Sequence, residues 1–219
     1  PNDFGLRTPD AAIDSFRKMG AKKVFDPGKL AIIIDHSSPS PNEGVSAIHK
    51  KIREFAKEQG ITLYDIGCGV CHQLTPEQGH VVPGDLVIGA DSHTCTYGAV
   101  NVFSTGIGST DLAAGWISGK LWFKVPETMK VVFKGKLPAG VYSKDLILNL
   151  IGKIGADGAT YLALEICGEA IDELSVDARF TISNMAIECG AKRLCLCDTV
   201  GHATPNGARR FRGTRLTTR

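Results

Sequence analysis

The chain has 219 residues, 43% hydrophobic and 22% charged, the balance of an ordinary globular protein with material for one large domain or one and a half small ones. Net charge is +2, but the last twelve residues hold five arginines (209, 210, 212, 215 and 219) and no acid, and removing those five takes the charge to −3. The body therefore offers no basic face for nucleic acid. The tail lacks aromatic interleaving and amphipathic period, and reads as a solvated terminus rather than a nucleic-acid or lipid binder.

No apolar run approaches the ~18 residues of a membrane span. The opening "PNDFGLRTPDAA" is polar and lacks the apolar stretch of a secretion signal. Seven cysteines, an odd number, suit reduced thiols in the cytoplasm better than a disulfide framework.

In chain order, "RTPDAAIDSFRKMG" predicts a helix with Thr8 as N-cap, Pro9 at its first position, apolar residues at 12, 13, 16 and 19, and Gly20 as the stop. "KLAIIIDH" is a continuous apolar run, the mark of a strand buried on both faces. A helix follows over "NEGVSAIHKKIREFAKEQG", then short strands in "ITLYDI" and "DLVIGADSH". "TYGAVNVFSTGIGSTDLAAGWISGK" is small and Gly-rich before turning helical. "TMKVVFKGKL" alternates as a strand, "SKDLILNLIGKIG" is a helix capped by Ser143, and "ATYLALEICG" is a strand. "SVDARFTISNMAIECGA" is a helix capped by Ser175, and "KRLCLCD" is a last strand. Strand and helix in alternation predict a layered α/β domain with a largely parallel sheet.

Polar residues gather at strand ends. Asp35-His36 and Asp91-Ser92-His93 close two predicted strands, and His72 lies in the loop after a third. Ligands of open α/β sheets sit outside the carboxyl ends of strands, so these residues point to one site. Histidine–carboxylate pairs suit general acid–base work near neutral pH, and equally suit zinc. The Gly-rich "STGIGSTD" before a helix offers backbone N–H groups to an anion. Cys68, Cys71 and His72 also spell C-x-x-C-H, a haem-attachment or redox-dithiol pattern. Without an export signal, and with His72 explained otherwise, that pattern is set aside.

Taken together, "DIGCGVCHQLTPEQGHVVPGDLVIGADSHTCTYGAVNVFSTGIGSTDLA" resembles the aconitase superfamily, and within it the large-subunit dehydratases that act on isopropylmalate and homoaconitate. "DHSSPSPNEGVSAIHKKIREFAKEQGITLYDIG", "SKDLILNLIGKIGADGATYLALEICGEAI" and "RFTISNMAIECGAK" carry the likeness along residues 8–192.

The resemblance implies a truncated, layered α/β/α aconitase-like domain over residues 1–192. It implies a hydro-lyase of the isopropylmalate dehydratase type in leucine biosynthesis, working with a 4Fe–4S cluster and a small-subunit partner on a hydroxy-dicarboxylate or tricarboxylate. Homoaconitase and citramalate or methylmalate isomerases are the alternatives. It further implies catalytic roles for Asp35, His36, His72, Asp91, Ser92, His93 and Glu188. Substrate contacts would come from Ser92, Asn184, Gly106 and Gly108. Asn184 and Glu188, four residues apart, are expected on one helix face beside the cluster.

No cysteine here matches the three that hold the family's cluster, so the metal ligands are expected outside this chain and activity of the chain alone is not expected. "GAKRLCLCDTVGHATPNGARR" resembles instead a segment of the homocitrate and 2-isopropylmalate synthase barrels. Residues 193–219 are therefore read as a foreign or disordered tail, and Asp198 and His202 are left out of the site.

Overall fold

The computed structural model describes residues 4–191 and 193–196, in two compact units. The first comprises the described residues up to His80, with Ile88–Ser92 and Gly106–Val125; the second comprises Val81–Val87, His93–Thr105 and the described residues from Pro126 onward. Among the described residues no helix is long and apolar enough to cross a membrane.

In the first unit, α1 (Phe4–Lys18), α2 (Glu43–Gln59) and α4 (Ser109–Ser118) enclose the apolar core, with the short α3 (Cys71–Glu77) beside the strand ends. Helix α1 begins before the expected cap at Thr8, so Pro9 lies inside it. Proline there removes one backbone donor, and the buried stripe Ala12, Ile13 and Phe16 carries the helix across that gap. Helix α2 follows its sequence signals: Asn42 accepts from the Val45 N–H at 3.0 Å, and Gly60 closes the helix at a φ of +71°, where a side chain would be strained. Phe55 meets Phe16 edge-on at 5.3 Å and stacks on Trp116 at 5.4 Å, joining the three long helices.

Strands β1 (Ala31–Ile33) and β2 (Thr62–Tyr64) pair in parallel as a two-stranded sheet, Ala31 opposite Thr62. The apolar run before Asp35 is not buried on both faces: Ile32 and Ile34 are buried, whereas Ala31 and Ile33 are half-buried. A sheet of only two strands leaves part of each strand uncovered.

The second sheet has the order β3-β4-β7-β6-β5, with β3 (Leu86–Gly89) at one edge. Strands β5 (Thr128–Val132), β6 (Ala163–Cys167) and β7 (Arg193–Leu196) are parallel, and β4 (Phe103–Gly106) runs antiparallel to β7. The α/β class is as expected, but the strands divide between two sheets, and β4 was hidden within a Gly-rich stretch. The strand expected in "KRLCLCD" is β7; Asp198, His202 and the arginine-rich end lie outside the described residues.

Helices α5 (Ser143–Ile154), α6 (Glu169–Asp172) and α7 (Val176–Met185) belong to the second unit. Ser143 does not cap α5: it is the first helical residue, and Tyr142 takes the cap position with its N–H donated to Asp145 at 2.8 Å. Ser175 caps α7 as expected, accepting from the Ala178 N–H at 3.3 Å. The core gathers Ile147, Leu150, Leu164, Ile166, Ile171 and Ile182.

Candidate active site

Four of the expected residues meet in the first unit. Asp35 and His36 follow β1, His72 is the second residue of α3, and Asp91 follows β3. His72 is therefore helical rather than in a loop. The reason lies one residue earlier, where the Cys71 N–H that opens α3 donates to Asp35 Oδ2 at 2.6 Å. A carboxylate satisfying an orphan N–H at a helix start is favourable for both groups.

The other Asp35 oxygen lies 2.6 Å from His36 Nδ1. His36 Nε2 lies 3.6 Å from Asp91 Oδ2, and His72 Nε2 lies 3.1 Å from Asp91 Oδ1. The result is one continuous chain, Asp35–His36–Asp91–His72, in which each carboxylate faces an imidazole nitrogen. Asp35 is nearly inaccessible, with 7% of its side chain exposed, whereas His36 keeps 34% open to solvent.

Burial pushes the Asp35 carboxyl up, but the His36 ring and the Cys71 N–H and thiol outweigh it and hold it at about 2. The Cys71 thiol moves the opposite way. Burial raises its pKa, and the charges of Asp35 and Asp91 raise it further. Cys71 does open a helix, as a redox dithiol would, but its thiol is held protonated, which is the reverse of what thiolate chemistry needs.

Gly106 and Gly108 play different parts. A Cβ on Gly106 would stand 2.5 Å from the Asp91 carbonyl oxygen and 3.1 Å from Ser92 Cα, so only glycine lets β4 pass this close to the Asp91 turn. Gly108 occupies the N-cap position of α4 with open space around it. Ser92 is exposed at the start of a 3₁₀ segment, Ser92–Val100.

The remaining candidates lie in the second unit. Asn184 donates to Thr96 Oγ1 at 3.0 Å, and Thr96 donates to the His93 carbonyl at 2.6 Å. Asn184 and Glu188 do not share a regular helix face: α7 ends at Met185, and Glu188 lies in a 3₁₀ turn, Ala186–Cys189, with its side chain exposed. The tighter winding breaks the four-residue alignment. Sequence reasoning missed the Cys71 N–H, because a main-chain donor leaves no motif, and it gave no role to Thr96, although that residue lies within the quoted "DSHTCTYGA" block.

The ends of β1 and β3 and the start of α3 thus bring two carboxylates and two imidazoles together in an α/β fold. The chain belongs to the aconitase family (aconitate hydratase), whose family model matches residues 8–198. It is similar to the 3-isopropylmalate dehydratase large subunit 1 of Methanopyrus kandleri, 53% identical over 186 residues, covering 84% of this chain and 44% of that protein. It is 57% identical over 171 residues to the probable 3-isopropylmalate dehydratase large subunit of Methanosarcina mazei, covering 78% and 41%. To the 3-isopropylmalate dehydratase large subunit of Acetivibrio thermocellus it is 56% identical over 187 residues, covering 84% and 45%. The chain thus spans a little under half the length of the curated relatives it matches.

The family implies a 4Fe–4S cluster, and the described residues do not fit one. The five cysteines whose side chains are described form no disulfide: Cys68 is exposed, Cys71 is half-buried, and Cys95, Cys167 and Cys189 are buried. Among the described residues no group of three or more His, Cys, Asp or Glu side chains is arranged to hold a metal ion.

Proposed function

We propose that this chain carries the proton-handling part of a 3-isopropylmalate dehydratase large subunit, an enzyme that interconverts 2- and 3-isopropylmalate through isopropylmaleate. The Asp35–His36–Asp91–His72 chain supports this reading most strongly. Removing water from a hydroxy acid requires one group to take a carbon-bound proton and another to protonate the departing hydroxyl, and both reverse on rehydration.

His36 is the ring open to a substrate, with Asp35 fixing its Nδ1 side. Asp91 faces both rings and can hold a proton balance between them, with His72 as the inner reservoir. Ser92 and His93 border the same turn, and Asn184 and Glu188 contribute substrate and water contacts. Gly106 acts by admitting the Asp91 backbone, and Gly108 by leaving the α4 N-terminal N–H groups open to a carboxylate. The cluster, held by cysteines outside the described residues, and a small subunit complete the enzyme. The absence of disulfides among the described cysteine side chains is in keeping with a cytoplasmic setting.

The test is an exchange of segments. Residues 8–191 replace the matching part of the Methanopyrus kandleri large subunit, the product is assembled with that enzyme's small subunit and cluster, and turnover is measured on isopropylmalate, homocitrate and citramalate. Turnover of isopropylmalate above the other two is expected. An assembled enzyme that prefers homocitrate or citramalate, or dehydrates none of the three, would contradict the proposal.

A further inference from the structure

A second histidine stands behind the first. His49, on α2, is only 1% exposed. It occupies a core position of the helix, one turn before Ile52, where an aliphatic side chain would pack without polar cost. Its Nε2 lies 3.3 Å from the main-chain carbonyl oxygen of His36. A carbonyl only accepts, so Nε2 carries the proton and donates. The Ser38 hydroxyl lies 3.4 Å from the same oxygen and 3.4 Å from the Ile34 carbonyl, and its one proton serves either acceptor. The backbone needs fixing at this point, because Ser37 follows with a φ of +51°, in the left-handed region that non-glycine residues avoid.

We infer that His49 is a positioning residue: it pins the His36 carbonyl from the core side, so that the His36 ring stays between Asp35 and Asp91. The inference rests on the proposed role of His36, but it concerns geometry that exists without turnover. The charged groups around this pair are Asp35 and Asp91 on the His36 ring, with Asp65, whose carboxyl is held low first by Arg53 and in smallest part by His49.

Nitrogen-15 NMR of the wild-type chain reads directly which His49 ring nitrogens carry a proton, and a proton on Nε2 is expected. A His49 whose Nε2 carries no proton would overturn the inference. Two variants carry the second arm, read at the hydrogen-bonded His36 Nδ1 proton facing Asp35. His49→Gln keeps a donor of similar reach and should retain that signal. His49→Leu fills the space without a donor, and should lose the signal to exchange while the helical circular dichroism remains. A His49→Leu protein that keeps the signal unchanged would overturn the inference, whatever the outcome of any activity assay.

Discussion

Asp35 is where opposing electrostatic forces are most clearly resolved. Burial alone would raise its pKa, yet its two oxygens are taken by an imidazole and a helix-opening N–H, and the carboxylate wins. Its folded pKa, about 2, lies below the unfolded value of about 3.9, so this stabilisation is complete above about pH 5 and is lost as pH falls toward 2. The loss amounts to about 2 kcal/mol. Urea unfolding followed between pH 5 and pH 2 should show that decline in the wild-type chain and a clearly flatter profile in Asp35→Asn. The neighbouring thiols make a second prediction. Iodoacetamide at neutral pH should label exposed Cys68 quickly and leave Cys71 nearly untouched until the chain unfolds, as read by peptide mass mapping. Sequence showed Asp35, His36, His72 and Asp91 as acid–histidine pairs at strand ends. It did not show the Cys71 N–H, which has no side-chain signature, or His49, which looks like any helical histidine until its burial is known.

At the scale of elements, the two glycines of "TGIGSTD" differ in what surrounds them. Gly106→Ala drives a Cβ into the Asp91 carbonyl and should cost about 1–3 kcal/mol, the usual penalty for overpacking. Gly108→Ala meets open space and loses only a better N-cap, about 1 kcal/mol or less. Thermal melts of the two variants check the order. Element types were mostly legible, because the long helices α2 and α5 carry clear apolar periods and their stops are glycines. Boundaries were not. Proline was taken as the start of α1 although it lies within the helix, and a serine was taken as the cap of α5 one position late. Strand β4 has no β-branched run to announce it: Phe103, Ser104, Thr105 and Gly106 become a strand through pairing with β7, a partner some ninety residues on. The passage of α7 into a 3₁₀ turn before Glu188 is likewise set by tertiary packing, with Ala186 and Cys189 fully buried.

At the scale of the molecule, acid–base groups and metal ligands come apart. Anaerobic reconstitution of this chain with iron and sulfide should give no stoichiometric 4Fe–4S absorption, because the described thiols are scattered and Cys71 is held protonated. The alternation of strands and helices gave the fold class, but not the division into two units and two sheets, which depends on which strands find partners. The central claim is that the Asp35–His36–Asp91–His72 chain moves the protons of dehydration. Its most direct test is the turnover of Asp91→Asn in the segment-exchanged enzyme on isopropylmalate. The amide keeps the shape of the side chain but removes the charge shared by both rings, so kcat should fall by about 10²–10⁴ while KM changes little. A variant that retains kcat within about twofold, with its cluster intact, would contradict the account.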